Sequence, residues 1–262
     1  MHTGASQATD GVVLRRGWRG GEGRKHAKPG RSAIHDVGPA EAPLRWSEGV
    51  LECLRDTREK GESEAVTKIP ELGKNVPSRG NAFSHWLGST YYSLSGWHFV
   101  GTLPDLPKFV VIVAPHTSNW DFLVGVGALF SLGLRISFLG KDSIFRGPTG
   151  RIVRWLGGIP VDRSVSRDRV TEMVDTFRDN EYLVFGLAPE GTRKRVTEWK
   201  TGFYHVALGA RVPIVPVAFD YAKKAIIIGP PVYPTGDATG DIAKIRKFFS
   251  GVTAKRPENF VP

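Results

Sequence analysis

The sequence predicts an α/β fold in which a largely parallel central sheet is flanked by helices. Short runs of β-branched and aromatic residues alternate with longer segments whose apolar residues recur at helical spacing. The chain has 262 residues, of which 40% are hydrophobic and 10% aromatic, enough for a substantial buried core. These observations exclude a wholly disordered protein.

The predicted elements begin at about residue 81. The first is a helix, because Phe83, Trp86, Leu87, Tyr91 and Leu94 share one helical face. Further helices are expected after residue 118, around 170–177, over 202–210 and around 242–249. The strand-type runs are 108–114, 135–139, 182–187, 212–219 and 225–228. Strands and helices in this alternation form βαβ units, and hence a parallel sheet.

The composition changes near residue 80. Residues 1–80 contain 14 basic and 11 acidic side chains, are rich in Gly, Arg, Ser and Pro, and lack apolar periodicity. We therefore predict a disordered or weakly folded extension over 1–80 and a folded domain over 81–262. A nucleic-acid arm, a transit peptide and a gene start assigned too far upstream are alternatives for the extension, since the next methionine after Met1 is Met173.

The charge and the special residues exclude several classes of protein. A net charge of +10 favours acidic partners: nucleic acid, an anionic membrane surface or a phosphorylated substrate. The single cysteine, Cys53, excludes an intramolecular disulfide and a site with several cysteine ligands. The longest nearly apolar stretch, 122–134, is shorter than the ~20 residues that span a membrane. Residues 1–35 have no apolar segment of a secretory signal.

The most informative segment is the octapeptide 114–121, which joins a predicted strand to a predicted helix. His116 and Asp121 can meet only if the histidine lies in the turn and the aspartate in the first helical turn. The carboxylate would then hold one ring nitrogen and leave the other as a general base. The alternative is that His116 caps the turn and Asp121 favours the helix N-terminus electrostatically.

Two further segments carry polar side chains next to apolar runs. In 187–193, Gly191 permits close approach of the backbone to a ligand, Thr192 supplies a hydroxyl and Arg193 supplies a planar fork for phosphate. A capped surface loop accounts for these residue types almost as well. In 157–164, Arg163 follows Asp162, a pair that is more often a surface ion pair than a site.

Together with a last run, these segments form four ordered blocks: HxxxxD (116–121), GGIPVDR (157–163), PEGTR (189–193) and VPIVPVA (212–218). The order resembles the glycerophospholipid acyltransferase family, especially its short bacterial 1-acyl-glycerol-3-phosphate acyltransferases without transmembrane helices. The resemblance covers roughly residue 86 to the C-terminus, and the stretch around Lys141 is similar to the family's segment between the first two blocks. Pro115 departs from the pattern, since relatives often have Asn before the histidine.

The resemblance implies a glycerol-3-phosphate acyltransferase-like fold. It also implies transfer of a fatty acyl group from acyl-CoA or acyl-carrier protein to a lysophospholipid hydroxyl, by default 1-acyl-glycerol-3-phosphate, which gives phosphatidic acid. His116 would be the general base, and Asp121 would orient it. The acceptor site would comprise Arg163, Glu190, Gly191, Thr192, Arg193 and Lys141. Glu190 is expected to hold a cation or a main-chain amide, and neither metal nor cofactor is expected.

The lipid substrates imply a peripheral position on the cytoplasmic face of an anionic membrane. Residues 81–97 favour a surface anchor, whereas 144–156 suit an anchor or a core equally. A different lipid acceptor, with a larger headgroup or an amino-acid lipid, and a non-catalytic lipid-binding module are the alternative functions. Nucleic-acid binding is disfavoured because the basic residues are dispersed.

Overall fold

The computed structural model describes residues 69–161 and 169–262. Its helices are α1 (Ala82–Ser95), α2 (Trp120–Leu132), α3 (Gly147–Trp155), α4 (Arg169–Asp179), α5 (Gly202–Ala210) and α6 (Ala238–Phe248). Its strands are β1 (His98–Val100), β2 (Lys108–Ala114), β3 (Ser137–Lys141), β4 (Gly158–Val161), β5 (Leu183–Leu187), β6 (Ile214–Asp220) and β7 (Ala225–Ile228). Short 3₁₀ helices occupy Asp142–Phe145 and Pro257–Asn259.

The strands form one seven-stranded sheet in the order β1-β7-β6-β2-β5-β3-β4. Strands β2 to β6 are parallel to one another, and β7 pairs antiparallel with β6. Strand β1 pairs parallel with β7, so these two run opposite to the rest. The predicted α/β class with a largely parallel sheet is confirmed.

Two apolar cores cover the two faces of this sheet. Alternate side chains of β2 point to opposite faces, so Val110 and Ile112 join one core while Phe109 and Val111 join the other. The first core includes Phe203 and Tyr204 of α5, and the second is closed by α1 and α2. A sheet covered on both faces is what continuous apolar strands predict.

Helix α1 packs closely on α2 because glycines replace side chains at their contact. A Cβ on Gly88 would lie 2.4 Å from the main-chain nitrogen of Ser131, so only glycine fits there. Helix α1 begins at a capping box, in which the Asn81 side chain accepts the Ser84 N–H and the Ser84 hydroxyl accepts the Asn81 N–H. It ends at Gly96, which adopts a left-handed conformation.

Several elements have other boundaries than the sequence predicts. Strand β3 occupies Ser137–Lys141 instead of 135–139, because Leu134 and Arg135 pair with residues 77–78 of the preceding segment. Strands β1 and β4 were not predicted; they have three and four residues, and β4 contains Pro160, which an edge strand tolerates. Helix α3 was not predicted as a separate element either.

Residues 69–80 lie on the extension side of the predicted boundary, yet they pack on the folded domain. Val76 is buried, and Ile69 and Leu72 contact the same core. The main-chain nitrogen of Arg79 donates to Gly133 O at 2.7 Å. The packed part of the chain therefore includes this segment. Residues 1–68, which hold the rest of the predicted extension, lie outside the described residues.

The length and polarity of the helices bear on membrane insertion. Within 69–161 and 169–262, no helix combines the length and apolar character that crossing a bilayer requires.

Candidate active site

The predicted site residues collect at the carboxyl edge of the parallel strands, where ligand sites of open α/β sheets form. His116 follows β2, and Glu190 follows the neighbouring strand β5. Lys141 ends β3, and Tyr221 follows β6. Because β6, β2, β5 and β3 are adjacent and parallel, four loops converge on one region.

His116 and Asp121 are brought together as the spacing requires. His116 lies in the turn after β2, and Asp121 is the second residue of α2. The imidazole Nδ1 is 3.6 Å from Asp121 Oδ2, with side-chain exposures of 26% and 0%. The histidine thus reaches solvent on one side while its aspartate partner is fully enclosed.

Asp121 contacts both the turn that carries His116 and the histidine itself. Its Oδ2 accepts the main-chain N–H groups of Thr117 and Ser118, each at 2.7 Å, and so closes the turn that carries His116. The same oxygen is the one nearest to the imidazole. Its Oδ1 accepts the Tyr221 hydroxyl at 2.6 Å. The same carboxylate therefore both fixes the turn and faces the histidine.

Glu190 holds a main-chain amide, as expected from the sequence. Its Oε2 accepts the N–H of His116 at 2.8 Å, which ties the loop after β5 to the loop after β2. Its Oε1 is buried and has no hydrogen-bond partner among the described residues. Burial raises the pKa of the Glu190 carboxyl to about 7; the His116 amide opposes this rise and the charge of Asp121 adds to it.

The electrostatic surroundings keep His116 neutral. Burial lowers the pKa of its imidazole below the ordinary value, Asp121 raises it, and the nearby positive charge of Arg193 lowers it again. A neutral imidazole can accept a proton, so the predicted base is in the required form at neutral pH.

The predicted phosphate ligands that belong to the described residues lie along the same edge. Arg193 is exposed and close enough to His116 to act on its charge. Gly191 has a φ of +64°, a left-handed conformation suited to glycine, and Thr192 Oγ1 accepts the N–H of Lys194 at 3.3 Å. Lys141 is exposed at the end of β3. Arg163 lies outside the described residues.

In the part of the chain that the structure describes, no three His, Cys, Asp or Glu side chains are grouped as they would be around a metal ion.

Comparison with known proteins points to one family. Residues 102–220, which contain β2 to β6, match the family model described as Acyltransferase. Residues 102–220 are therefore similar to this family. This matched acyltransferase domain contains His116, Asp121 and the PEGTR segment, and it ends directly before Tyr221.

Curated relatives carry the same family name. The 1-acyl-sn-glycerol-3-phosphate acyltransferase of Haemophilus influenzae is 29% identical over 150 residues, which cover 54% of this chain and 61% of the relative. The Escherichia coli enzyme of that name is 29% identical over 123 residues, or 44% of this chain and 49% of the relative. The human beta form is 33% identical over 116 residues, or 42% and 40%. The chain thus spans 40–61% of the length of these three relatives.

A solved structure is also similar. The crystal structure of the 1-acyl-sn-glycerophosphate (LPA) acyltransferase PlsC from Thermotoga maritima is 18% identical, with a TM-score of 0.47 over 66% of this chain and 80% of that chain.

Tyr221 is the site residue that the sequence analysis missed. It lies 100 positions from its partner Asp121, and it belongs to none of the four blocks. The available signal was its position, because it directly follows a buried strand whose carboxyl end lies at the same edge as β2.

Proposed function

We propose that the protein is an O-acyltransferase that transfers a fatty acyl group from acyl-CoA or acyl-carrier protein to the hydroxyl of a lysophospholipid. The default acceptor is 1-acyl-glycerol-3-phosphate, and the product is then phosphatidic acid. The observation that carries this proposal is the partly exposed imidazole of His116 backed by the enclosed carboxylate of Asp121. It lies in the acyltransferase domain, whose curated relatives are named for this reaction.

The geometry suits general-base catalysis on a hydroxyl. Nδ1 of His116 faces Asp121, which leaves Nε2 to take the proton of the acceptor hydroxyl. The hydroxyl oxygen then attacks the thioester carbonyl carbon, the carbon–sulfur bond breaks, and the imidazolium returns the proton to the leaving thiolate. The buried negative charge of Asp121 stabilises the imidazolium during this step.

We assign binding of the acceptor phosphate to cationic side chains at the carboxyl edge of the parallel strands. Arg193 can approach a phosphate with two parallel N–H groups, and Lys141 ends β3. Arg163 is assigned to the phosphate from the sequence alone. Gly191 leaves the backbone open to a ligand, and Thr192 adds a hydroxyl. Beside the His–Asp pair, Trp120 and Leu123 expose apolar surface that suits the chain of a lipid.

A membrane-facing surface is proposed on helices α1 and α3. Phe83 and Leu87 of α1 and Trp155 of α3 line one groove of about 230 Å³, so the two apolar patches of the sequence analysis are continuous. Trp86 on α1 and Ile152 on α3 are also exposed. We refer to these five residues as the apolar face.

The charges around the apolar face favour an anionic lipid surface as its occupant. Helix α1 carries no charged residue, and the charged residues of α3 are Arg151 and Arg154. Arg79 lies over the Trp155 ring, 4.0 Å from its centroid, and adds a third cation. Aromatic side chains bordered by cations are typical of the headgroup region of a bilayer. This surface would hold the protein peripherally on the cytoplasmic face.

The test of the activity is mass spectrometry of lipid products formed from labelled acyl-CoA or acyl-carrier protein. The acceptors are supplied separately: 1-acyl-glycerol-3-phosphate, lysophospholipids with larger headgroups, and amino-acid lipids. Labelled phosphatidic acid from wild type and none from His116→Ala at equal folding supports the proposal. A product from another acceptor alone identifies a different acyltransferase, and binding to vesicles without any acyl transfer identifies a lipid-binding module; either result overturns the default assignment.

The membrane-facing surface has its own test. Co-sedimentation with vesicles that contain phosphatidylglycerol should fall at least about tenfold in Trp86→Glu, since the loss of an aromatic side chain and the added negative charge both oppose insertion. Tyr233→Glu is the matched control, because Tyr233 is similarly exposed outside the apolar face. Equal binding by both variants would contradict the assignment.

A further inference from the structure

Tyr221 donates the shortest of the contacts around the Asp121 carboxylate. Its Oη lies 2.6 Å from Oδ1, a distance typical of a hydroxyl bound to a charged oxygen. The other oxygen, Oδ2, accepts the amides of Thr117 and Ser118 and faces His116. The two oxygens therefore have separate tasks, and the hydroxyl of Tyr221 occupies the one that the turn leaves free.

Tyr221 is itself held in place from several sides. Its main-chain N–H donates to Thr253 O at 2.8 Å. The Trp97 ring meets its ring edge-on with centroids 5.0 Å apart, and Lys255 Nζ lies 5.4 Å from the ring centroid. Burial and the bond to Asp121 raise the pKa of the Tyr221 hydroxyl far above its ordinary value. The hydroxyl thus stays protonated and acts as a donor, not as an acid or base.

We propose that Tyr221 is a positioning residue for acyl transfer, which acts through Asp121 and not by contact with substrate. The inference rests on the proposed function. The hydroxyl stabilises the negative charge on Oδ1 and fixes the plane of the carboxylate, so that the proton taken from the acceptor stays on the imidazole. Tyr221 lies directly outside the matched acyltransferase domain, so the family match does not assign it.

Loss of the Tyr221 hydroxyl should change the protonation of the His116–Asp121 pair. Without it, the Asp121 charge is less dispersed, and the His116–Asp121 pair holds its proton more tightly. The pair then becomes active only at higher pH. The titratable and charged groups that face the pair and Tyr221 are Glu190 and Arg193 after β5, Tyr91 on α1 and Lys255 near the C-terminus.

The test compares Tyr221→Phe with Tyr204→Phe in the full chain. Tyr204 is a matched control, because it is also buried and its hydroxyl donates to the buried Asp241 at 2.9 Å, in the core that contains α5. For Tyr221→Phe we expect the acid limb of the pH profile to move up by about half a pH unit or more. We also expect about a tenfold loss of kcat near neutral pH, with both KM values changed less than about twofold.

A second measurement does not depend on turnover. Proton NMR follows the titration of the His116 imidazole, identified by its absence in His116→Ala. An upward shift of this titration in Tyr221→Phe but not in Tyr204→Phe supports the inference even if the protein transfers no acyl group. An unchanged or lowered titration, or the same shift in both variants, overturns it. Equal kinetic losses in both variants would likewise show a merely structural role.

Discussion

The carboxylate of Glu190 accepts the main-chain N–H of His116 at 2.8 Å, across 74 positions of the sequence. This bond joins the PEGTR loop to the HxxxxD turn, so the segment assigned to the acceptor also fixes the backbone of the proposed base. In the proposed mechanism, acceptor binding and chemistry are therefore coupled through one buried carboxyl group.

Substitution of Asp121 by Asn should reduce turnover by about 10²–10⁴. The amide keeps the shape but lacks the charge that stabilises the imidazolium, and its NH₂ group cannot accept from the turn amides. The rate of acceptor-dependent thiol release measures the effect. Asp241→Asn is the control, since Asp241 is equally buried and accepts the Tyr204 hydroxyl. Similar losses in both variants would contradict a specific role for Asp121.

The pH profile should show that His116 works at lower pH than an ordinary histidine. Because burial and Arg193 lower the pKa of the imidazole against the opposing effect of Asp121, this pKa lies below the ordinary value of ~6.5. The acid limb of kcat/KM is therefore expected below that value. A limb at or above pH ~6.5 in wild type would mean that another group controls the reaction.

Arg193→Ala should weaken binding of a phosphorylated acceptor. A charge-assisted contact to phosphate contributes ~1.5–3 kcal/mol, so the acceptor KM should rise roughly tenfold to a hundredfold. The donor KM should change little, and Arg195→Ala, an exposed neighbour, serves as the control. An increase confined to the donor KM, or equal damage with a phosphate-free acceptor, would assign Arg193 a different role. Arg163 is expected to behave like Arg193.

Glu190→Gln should remove a pH dependence of stability. In wild type the pKa of this carboxyl is raised from 4.5 to about 7, so its stabilising contribution is complete below pH 4.5 and lost as pH rises through about 7. As the pH is raised from 5 to 8, the free energy of unfolding of the variant should increase relative to that of wild type, by up to about 3 kcal/mol. Urea unfolding at both pH values measures this gain. A constant difference would show that Glu190 does not titrate in this range.

Truncation should separate the extension from the packed segment that follows it. A variant that begins at Ile69 should keep full activity. One that begins at Asn81 loses Val76 and the strand bridge between Ser78 and Leu134, so its melting temperature should fall by about 5–10 °C. Thermal unfolding measures the change in melting temperature, and acyl-transfer assays measure the activity of each variant. Inactivity of the folded Ile69 variant would show that residues 1–68 take part in function.

The sequence allowed accurate prediction of elements whose residues repeat a strong local pattern. The bounds of β2, α5 and β7 agree with those of the predicted segments. Edge strands β1 and β4 escaped prediction because three or four residues carry too little pattern. The pairing of Tyr221 with Asp121 also escaped it, since that bond depends on the order of strands in the sheet.

The reversal of direction between β6 and β7 has a consequence for how the site is assembled. Tyr221 begins the four-residue turn that joins these strands, and Asp220 closes that turn by accepting the amides of Ala222 and Lys223. The tyrosine reaches Asp121 from the end of β6, the strand that pairs with β2. A chain in which β6 is not paired with β2 would therefore hold His116 and Asp121 in one turn without the Tyr221 hydroxyl.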